Sequence, residues 1–261
     1  MKVIVNGMPR TIPNQTAAGS LPEYTGDNWI AVNGKRVSPS HLISEGDDIQ
    51  FLSHTLPSAG VVEELLCKRY GKSCWQDFQR GVVGIAGLGG LGSAIAVLLA
   101  RSGVGTLHLF DDDCVDITNV FRQAYDLSHL GMYKTEALRD IIARITPYTK
   151  VVLHTMRLEE HNMAEAFRNI PILCEAFDAP QTKAALANIV LSMPSAPILI
   201  SASGMAGIGS SNAVQTKKIT DRFYLCGDGT SSINTPPGLM APRVTLCAAH
   251  QANLVLSLLH S

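Results

Sequence analysis

A glycine-rich run at residues 87–92, GLGGLG, has the composition and spacing of a phosphate-binding turn. Gly87 allows a tight turn out of a strand, and Gly89 lacks a Cβ, so a phosphate or ribose can approach the backbone. Gly90 begins the next segment, and Gly92 lets a helix lie close to the strand. The N-terminus of that helix offers unpaired N–H groups to an anion. The run therefore predicts nucleotide binding.

Polar residues after the glycine run indicate which nucleotide is bound. Asp111 follows the next predicted strand and can accept hydrogen bonds from ribose hydroxyls. Asn119, Arg122 and Lys134 come next and are hydrogen-bond donors. A triphosphate carries more negative charge than the pyrophosphate of a dinucleotide. Its binding site is therefore expected to include an arginine and a lysine. Asp178, at the end of a later strand, is a candidate Mg²⁺ ligand.

Each of these residues also has a purely structural interpretation. Arg122 could form a surface salt bridge, and Asp178 could cap the helix that starts near Pro180. Lys134 begins a helix, where a lysine is unfavourable unless an anion compensates its charge. We favour ligand binding for these residues because they cluster after the glycine run.

The elements that position these residues alternate between strand and helix from Gly81 onward. Buried strands are predicted at residues 82–86, 106–110, 150–155, 171–177 and 197–201. Helices are predicted at 93–101, 133–145, 161–167, 180–191 and 242–260. Two further strands, 212–216 and 222–225, are expected as antiparallel additions. This alternation predicts an α/β fold, a mostly parallel sheet with helices on both faces.

The first 60 residues follow a different pattern. Short strands are predicted at 2–6, 10–12, 29–32, 35–37 and 49–52, with turn residues between them. A helix is expected between Pro13 and Asp27, although Gly19, Pro22 and Gly26 interrupt it. Residues 54–60 form a plausible linker, and 61–70 a helix. The predicted organisation is a small β-rich module (1–56), a linker and helix (57–80), and a nucleotide-binding domain (81–261).

Composition excludes several classes of function. The 261 residues carry a net charge of −1, which gives no electrostatic basis for binding nucleic acid or an anionic membrane. No apolar run is long enough to span a bilayer, and the first ten residues lack a signal-peptide core, so we expect a cytoplasmic protein. Six scattered cysteines without a CxxC pair predict no zinc site.

The combined motifs resemble a known enzyme group. VGIAGLGGLGS at 83–93, Asp111, NVFRQ at 119–123 and GMYK at 131–134 resemble the ThiF/MoeB/HesA group of ATP-dependent enzymes that activate ubiquitin-like sulfur carriers. EAFDAPQTKA, ASGMAGIGSSN and GLMAPRVTLCAAHQANLVL resemble the thiamine-pathway ThiF branch. The resemblance covers about residues 60–260 and implies a Rossmann-like fold and a homodimer.

The resemblance also implies roles for individual residues. Asp111 matches the acid that holds the ribose, and Asn119 and Arg122 match residues on the phosphates. Lys134 matches the lysine that steadies the phosphates while a carrier carboxylate attacks, and Asp178 the aspartate near the α-phosphate and Mg²⁺. The implied reaction is adenylation of the C-terminal glycine carboxylate of a carrier, with release of pyrophosphate.

Two further residues are assigned through the resemblance alone. Cys226, at the start of a long loop, could form a covalent intermediate or be an ordinary thiol. Relatives supply an arginine to the ATP site of the partner subunit. Lys68, Arg69 and Lys72 are candidates here, and we select Arg69.

The N-terminal module resembles the ThiS sulfur carrier, a small β-grasp-like protein, in MKVIVNG, AVNGKRV and EGDDIQFL. A working carrier ends in Gly-Gly with a free carboxylate. Here the corresponding end is Ser58-Ala59-Gly60, and the chain continues into Val61. A peptide carbonyl has no carboxylate oxygen that can attack phosphorus. We therefore expect the module to be a docking or stability appendage, not the substrate.

Three alternative functions remain open at this stage. A NAD(P) oxidoreductase would use the same fold, but Arg122, Lys134 and Asp178 argue against it. A non-catalytic scaffold that binds a carrier is suggested by the fused module. Activation of a different carrier, as in molybdopterin or cysteine synthesis, is the third alternative.

Overall fold

The computed structural model describes residues 1–52, 59–232, 234 and 236–261. The chain divides into two compact units, Met1–Lys72 and Ser73–Ser261, which are described separately. The predicted boundary between residues 56 and 57, and most of the predicted linker at 54–60, lie outside the described residues. The domain limits given above therefore stay a prediction.

The first unit contains a five-stranded mixed sheet. Its strands are β1 (Lys2–Val5), β2 (Met8–Thr11), β3 (Trp29–Val32), β4 (Lys35–Val37) and β5 (Asp48–Leu52). They are ordered β2-β1-β5-β3-β4, with β1 and β5 parallel at the centre. The Asn-Gly turns at 6–7 and 33–34 have positive φ at both residues, as a two-residue hairpin turn requires. Both predicted hairpins are thus confirmed.

The helix expected between Pro13 and Asp27 does not form. Only a three-residue 3-10 helix, Ala18–Ser20, is present. Gly19 lies so close to the next loop that a Cβ would come within 2.6 Å of Pro39 Cβ. The unit ends in helix α1 (Ala59–Tyr70), which includes Gly60 in its first turn. Lys68 Nζ donates to the Gly7 carbonyl at 2.8 Å and holds α1 against the first hairpin.

The second unit is built on a seven-stranded sheet. Its strands are β6 (Val82–Ala86), β7 (Thr106–Phe110), β8 (Lys150–His154), β9 (Ile172–Glu175), β10 (Ile198–Ala202), β11 (Gln215–Thr220) and β12 (Phe223–Gly227). The order is β11-β12-β10-β9-β6-β7-β8. The expectation of two antiparallel additions is wrong for one of them, because β12 pairs parallel to β10 and only β11 is antiparallel.

Helices cover both faces of this sheet, as predicted. They are α2 (Lys72–Arg80), α3 (Gly90–Arg101), α4 (Lys134–Ile145), α5 (Glu160–Ala166), α6 (Pro180–Ser192) and α7 (Ala241–Leu259). Residues of α3, α4 and α7 share one apolar core, and residues of α5 and α6 share the other. None of the helices in the described part of the chain is long and apolar enough to cross a bilayer.

Candidate active site

The glycine turn joins β6 to α3 and has little room around it. Gly87 has φ +91°, and a Cβ there would lie 2.9 Å from the Ala176 carbonyl oxygen. A Cβ on Gly92 would lie 1.8 Å from the Gly87 carbonyl oxygen, so only glycine fits. Gly89 is different, since the nearest atom to its Cβ position is Gln123 Nε2, at 3.9 Å. The turn is therefore closed on the protein side and open where a ligand would approach.

A cavity of about 900 Å³ opens at the carboxyl ends of the central strands. The predicted site residues that line it are Gly87, Gly89, Gly90, Asp111, Asn119, Arg122, Lys134 and Asp178. The described residues that line it all belong to the second unit. Ligands bind at the carboxyl ends of strands in open α/β sheets, so the position of the cavity agrees with a nucleotide site.

Asp111 lies directly after β7 and faces the glycine turn. Its Oδ2 accepts the N–H of Leu88 at 2.6 Å, and its Oδ1 accepts the N–H of Asp113 at 2.8 Å. Burial raises the pKa of Asp111, while the Lys134 ammonium and the two N–H groups work in the opposite direction. Each carboxylate oxygen can accept more than one hydrogen bond, so ribose hydroxyls can still bind here.

Lys134 is the first residue of α4 and is buried at the cavity wall. Its Nζ lies 2.6 Å from Asp113 Oδ2 and 4.0 Å from Asp111 Oδ1. These carboxylates supply the anion that a lysine at a helix N-terminus needs. The ammonium is thereby held at the cavity, next to the predicted ribose site.

The segment between β7 and α4 folds around Asp116. The side-chain Nδ2 of Asn119 donates to Asp116 Oδ2 at 2.7 Å, so the buried Asn119 side chain also stabilises the turn. Arg122 Nη1 donates to the Thr118 carbonyl at 3.0 Å. Among the described residues the guanidinium has no carboxylate partner, so the salt-bridge interpretation of Arg122 finds no support. Its charge is available to a phosphate.

Asp178 lies between β9 and α6. The N-cap of α6 is Ala179, and no side chain makes a capping bond there, so the capping interpretation of Asp178 is wrong. Its carboxylate is exposed at the cavity and makes no hydrogen bond with the residues that the structure describes. Oxygen donors of this kind fit Mg²⁺, which binds one or two carboxylates and otherwise keeps its waters or phosphate oxygens.

Sequence reasoning missed several residues at the cavity. Gln123 lines it, and its Oε1 is buried without a partner among the described residues. Glu175 and Lys183 form an ion pair at 2.9 Å, and Lys183 also lines the cavity. Only the structure shows that Glu175 and Lys183 pair and that Gln123 reaches the cavity. The one sequence signal was the position of Gln123, which directly follows Arg122 in the NVFRQ motif.

A buried ion pair between Asp228 and Arg243 fixes the loops on the far side of the cavity. Arg243 Nη2 donates to Asp228 Oδ2 at 2.5 Å, and its Nη1 donates to the carbonyls of Gly209 and Ser210 at 2.9 Å. Burial acts to raise the pKa of Asp228, but N–H groups including that of Ser231, together with Arg243, outweigh it and lower the pKa well below its usual range.

The structure does not bring Cys226 to this cavity. Cys226 belongs to β12, not to the following loop, and is fully buried. Burial raises the pKa of its thiol, which disfavours the reactive thiolate. Arg69 is exposed on α1, in the first unit, and its assignment to the ATP site of a partner subunit stays a prediction. The other predicted residues line the cavity, except Gly92, which packs beneath the glycine turn.

Comparison with known proteins agrees with this architecture. The ThiF family profile matches residues 63–261. Adenylyltransferase and sulfurtransferase UBA4 of Saccharomyces cerevisiae is 29% identical over 153 residues, which is 54% of this chain and 34% of UBA4. Adenylyltransferase and sulfurtransferase MOCS3 of Caenorhabditis briggsae is 33% identical over 121 residues, 46% of this chain and 30% of MOCS3. The chain thus spans about a third of these curated relatives.

Solved structures share the fold. The ATP complex of Escherichia coli tRNA N6-threonylcarbamoyladenosine dehydratase, TcdA, has a TM-score of 0.68 at 21% identity, over 78% of this chain and 97% of TcdA. E. coli MccB with ATP has a TM-score of 0.59 at 18% identity, over 76% of this chain and 63% of MccB. These likenesses confirm the predicted Rossmann-like fold. With the profile match over most of its length, the chain belongs to the ThiF family.

Proposed function

We propose that this protein uses ATP to adenylate the C-terminal Gly-Gly carboxylate of a separate ThiS-like sulfur carrier protein. The observation that carries the proposal is a single cavity that joins an open glycine turn to Asp111, Arg122, Lys134 and Asp178. Such a set offers an acceptor for ribose, two cations for phosphates and a carboxylate for a divalent metal. The names of UBA4 and MOCS3 include adenylyltransferase, which supports the same reaction class.

In the proposed reaction a carboxylate oxygen of the carrier attacks the α-phosphorus of ATP. A new P–O bond forms, the bond to the β-phosphate bridging oxygen breaks, and pyrophosphate leaves with that electron pair. Backbone N–H groups at the start of α3 and the cations of Arg122 and Lys134 bind the phosphates, and Asp111 orients the ribose. The protein supplies alignment and charge neutralisation, without a covalent intermediate on the chain.

Asp178 is the residue that we assign to the divalent ion of the ATP complex. Bound Mg²⁺ supplies positive charge that neutralises the phosphates. The carboxylate of Asp178 also restricts where the carrier carboxylate can lie, since two anions repel each other in the same part of the cavity.

The carrier that we propose is the one of thiazole formation in thiamine biosynthesis. The fused module resembles ThiS, which supports a carrier of this kind, and activation of a molybdopterin or cysteine-pathway carrier is the alternative. The module itself is not the substrate in this proposal. Gly60 lies in the first turn of α1, and the chain continues through the helix instead of ending in a carboxylate.

ATP–pyrophosphate exchange tests the proposal. The full-length protein is assayed with and without a separate carrier that ends in Gly-Gly, and with a matched carrier that lacks its last two glycines. Exchange that requires the complete carrier supports the proposal. Tight ATP binding without exchange would favour the scaffold, and preference for NAD(P) over ATP would favour an oxidoreductase. The same preparation tests the proposed homodimer by sedimentation equilibrium.

A further inference from the structure

A second polar cluster lies at the end of β9, beneath the cavity floor. Its centre is the fully buried carboxylate of Glu175, the last residue of β9. Lys183 Nζ donates to Glu175 Oε1 at 2.9 Å and to Oε2 at 3.0 Å. The hydroxyl of Ser201, on β10, donates to Glu175 Oε2, and the N–H of Phe177 donates to Oε1 at 2.7 Å. One carboxylate therefore receives hydrogen bonds from β10, α6 and the turn between β9 and α6.

The donors to Glu175 lie on both sides of Asp178. Phe177 precedes Asp178, and Lys183 follows it by five residues, in the second turn of α6. The Lys183 ammonium also lies 3.3 Å from the Ala202 carbonyl oxygen, so its three N–H groups have protein partners. Lys183 is therefore poorly suited to bind a phosphate, although it lines the cavity.

The same turn packs against the glycine run. A Cβ on Gly87 would lie 2.9 Å from the Ala176 carbonyl oxygen and 3.1 Å from the Phe177 ring. A Cβ on Gly92 would lie 3.2 Å from Ala176 Cβ. Any displacement of the turn that carries Asp178 would therefore change its distance from the phosphate-binding turn.

From these contacts we propose that Glu175, Lys183 and Ser201 are positioning residues that hold Asp178 at a fixed place relative to the glycine turn. This inference rests on the proposed function, in which Asp178 serves the α-phosphate and its metal ion. Burying the Glu175 carboxylate is costly even with Lys183 as its partner, and such a pair gives little net stability, so an anchoring role is a reason for its presence. Asp178 itself has no hydrogen bond among the described residues, so its position depends on its neighbours.

Kinetics of single and double variants test whether the network acts through Asp178. Glu175→Gln replaces one carboxylate oxygen, a hydrogen-bond acceptor, by an NH₂ group, which is a donor. Lys183→Met removes the ammonium group. Each is expected to lower kcat for ATP–pyrophosphate exchange by about 100-fold, since small misplacements of reacting groups have effects of that size. The KM for ATP should change by less than about 3-fold, and Lys183→Arg should restore much of the rate.

A double-variant comparison separates positioning from general damage. In the Asp178→Asn background, Glu175→Gln should lower kcat by less than about 2-fold further, since the group that it positions is already lost. If Glu175→Gln lowers kcat by the same factor in the Asp178→Asn background as in the wild type, the two residues act independently and the proposal is overturned. Lys218→Met is the matched control, because Lys218 lies on the exposed strand β11, pairs with Asp221 just after that strand and does not line the cavity.

Amide hydrogen exchange tests the anchor without any activity. The Phe177 amide and the first turns of α6 should exchange at least about 10-fold faster in Glu175→Gln and Lys183→Met, with β6 and β7 unchanged. Equal protection in the variants and the wild type would overturn the anchor. If a variant does not fold, Ser201→Ala removes only one donor and should show a smaller effect in the same segment. If the wild type shows no ATP–pyrophosphate exchange, the proposed function is contradicted. The amide hydrogen exchange rates would still show whether Glu175 and Lys183 hold the turn that carries Asp178.

Discussion

Lys134 is the residue for which position and charge give the strongest prediction. Its ammonium is buried between the cavity and the carboxylates of Asp113 and Asp111. Lys134→Met should lower kcat/KM for pyrophosphate exchange by about 10²–10³-fold, because a preorganised donor at a developing charge has an effect of that size. Steady-state exchange kinetics at saturating carrier measure the loss.

The removal of Lys134 also leaves the carboxylates of Asp111 and Asp113 without their cation. A loss of folding stability must therefore be distinguished from a loss of catalysis. Lys134→Met with Asp113→Asn removes part of that repulsion and should recover the melting temperature but not the exchange activity. Lys217→Met removes an exposed lysine of β11 and serves as the charge-matched control. Recovery of activity in the double variant would show that Lys134 acts only through folding.

Gly89 and Gly92 separate a binding role from a packing role. A Cβ on Gly92 meets the Gly87 carbonyl oxygen at 1.8 Å, whereas a Cβ on Gly89 meets nothing closer than 3.9 Å. Gly92→Ala should therefore destabilise the protein by about 3 kcal/mol or more, in the range of severe overpacking. Gly89→Ala should lower the melting temperature by only a few degrees and weaken ATP binding by about 10-fold or more.

Thermal unfolding and calorimetric titration with ATP measure both glycine variants. Gly89 has a negative φ, −68°, and no heavy atom beyond its chain neighbours comes closer than 3.9 Å to its Cβ position, so its variant is expected to fold. Normal ATP affinity in Gly89→Ala would contradict the close approach of a phosphate to this turn.

At the scale of residues, sequence reasoning found the groups that face the ligand and missed the groups that hold them. Asp111, Arg122, Lys134 and Asp178 were predictable because each follows a strand or begins a helix in a recognisable motif. Glu175 was not, although it is the first residue of the EAFDAPQTKA motif, since the sequence does not show which groups surround its carboxylate. Its partners lie 8 and 26 positions away, and only the fold brings them together.

At the scale of elements, the pair of strands β7 and β8 contains a histidine contact that predicts pH dependence. His108 Nδ1 lies 3.0 Å from His154 Nε2, and His154 stacks on Phe110 with ring centroids 4.1 Å apart. Burial lowers the pKa of both histidines, and the Lys150 ammonium lowers that of His108 further. One ring must accept the hydrogen bond, so at least one histidine is neutral in this contact.

These lowered pKa values fix the sign of the effect. The unfolded chain binds protons at the ordinary histidine pKa of 6.5, and the folded chain only at lower pH. The contribution of the two neutral histidines to the free energy of unfolding is therefore fully present above pH 6.5. It is lost as the pH falls through the lowered pKa values. We expect the melting temperature to fall as the pH is lowered from about 6.5 to about 5, and His154→Phe to show a smaller fall.

Thermal unfolding across this pH range measures both proteins. His161→Gln removes an exposed histidine of α5 and should follow the wild type. An identical pH dependence in His154→Phe and the wild type would exclude the histidine pair as its source.

Element prediction succeeded where hydrophobic patterns and turn residues agreed. β6 and β7 begin and end at the predicted residues, because short buried strands between glycines leave little ambiguity. The pairing of β12 was not predictable, since strand direction depends on the path of the chain and not on local pattern. The helix expected after Pro13 was lost to glycine and proline, whose local cost exceeded the weak apolar periodicity there.

At the scale of the whole molecule, two compact units with separate apolar cores are joined in one chain. The second unit contains the cavity and lies entirely within the region that matches the ThiF family. The first has a mixed sheet with a parallel central pair, which agrees with the predicted β-grasp-like module. Sequence patterns predicted the large, mostly parallel sheet and the strands of the module, but they also predicted a helix between Pro13 and Asp27 that does not form, and they could not show what the module does for the enzyme.

Deletion of residues 1–60 tests the appendage hypothesis. If the module occupies the carrier-binding surface of a partner subunit, its removal should lower the KM for the carrier by about 10-fold, equivalent to about 1.4 kcal/mol. The dissociation constant for ATP should stay within about 2-fold, because the cavity is lined by residues of the second unit wherever the structure describes its wall. A lower melting temperature with an unchanged KM would instead indicate a stabilising role. If carrier KM, melting temperature and molecular mass in solution all match the full-length protein, the module is neither a docking nor a stability element.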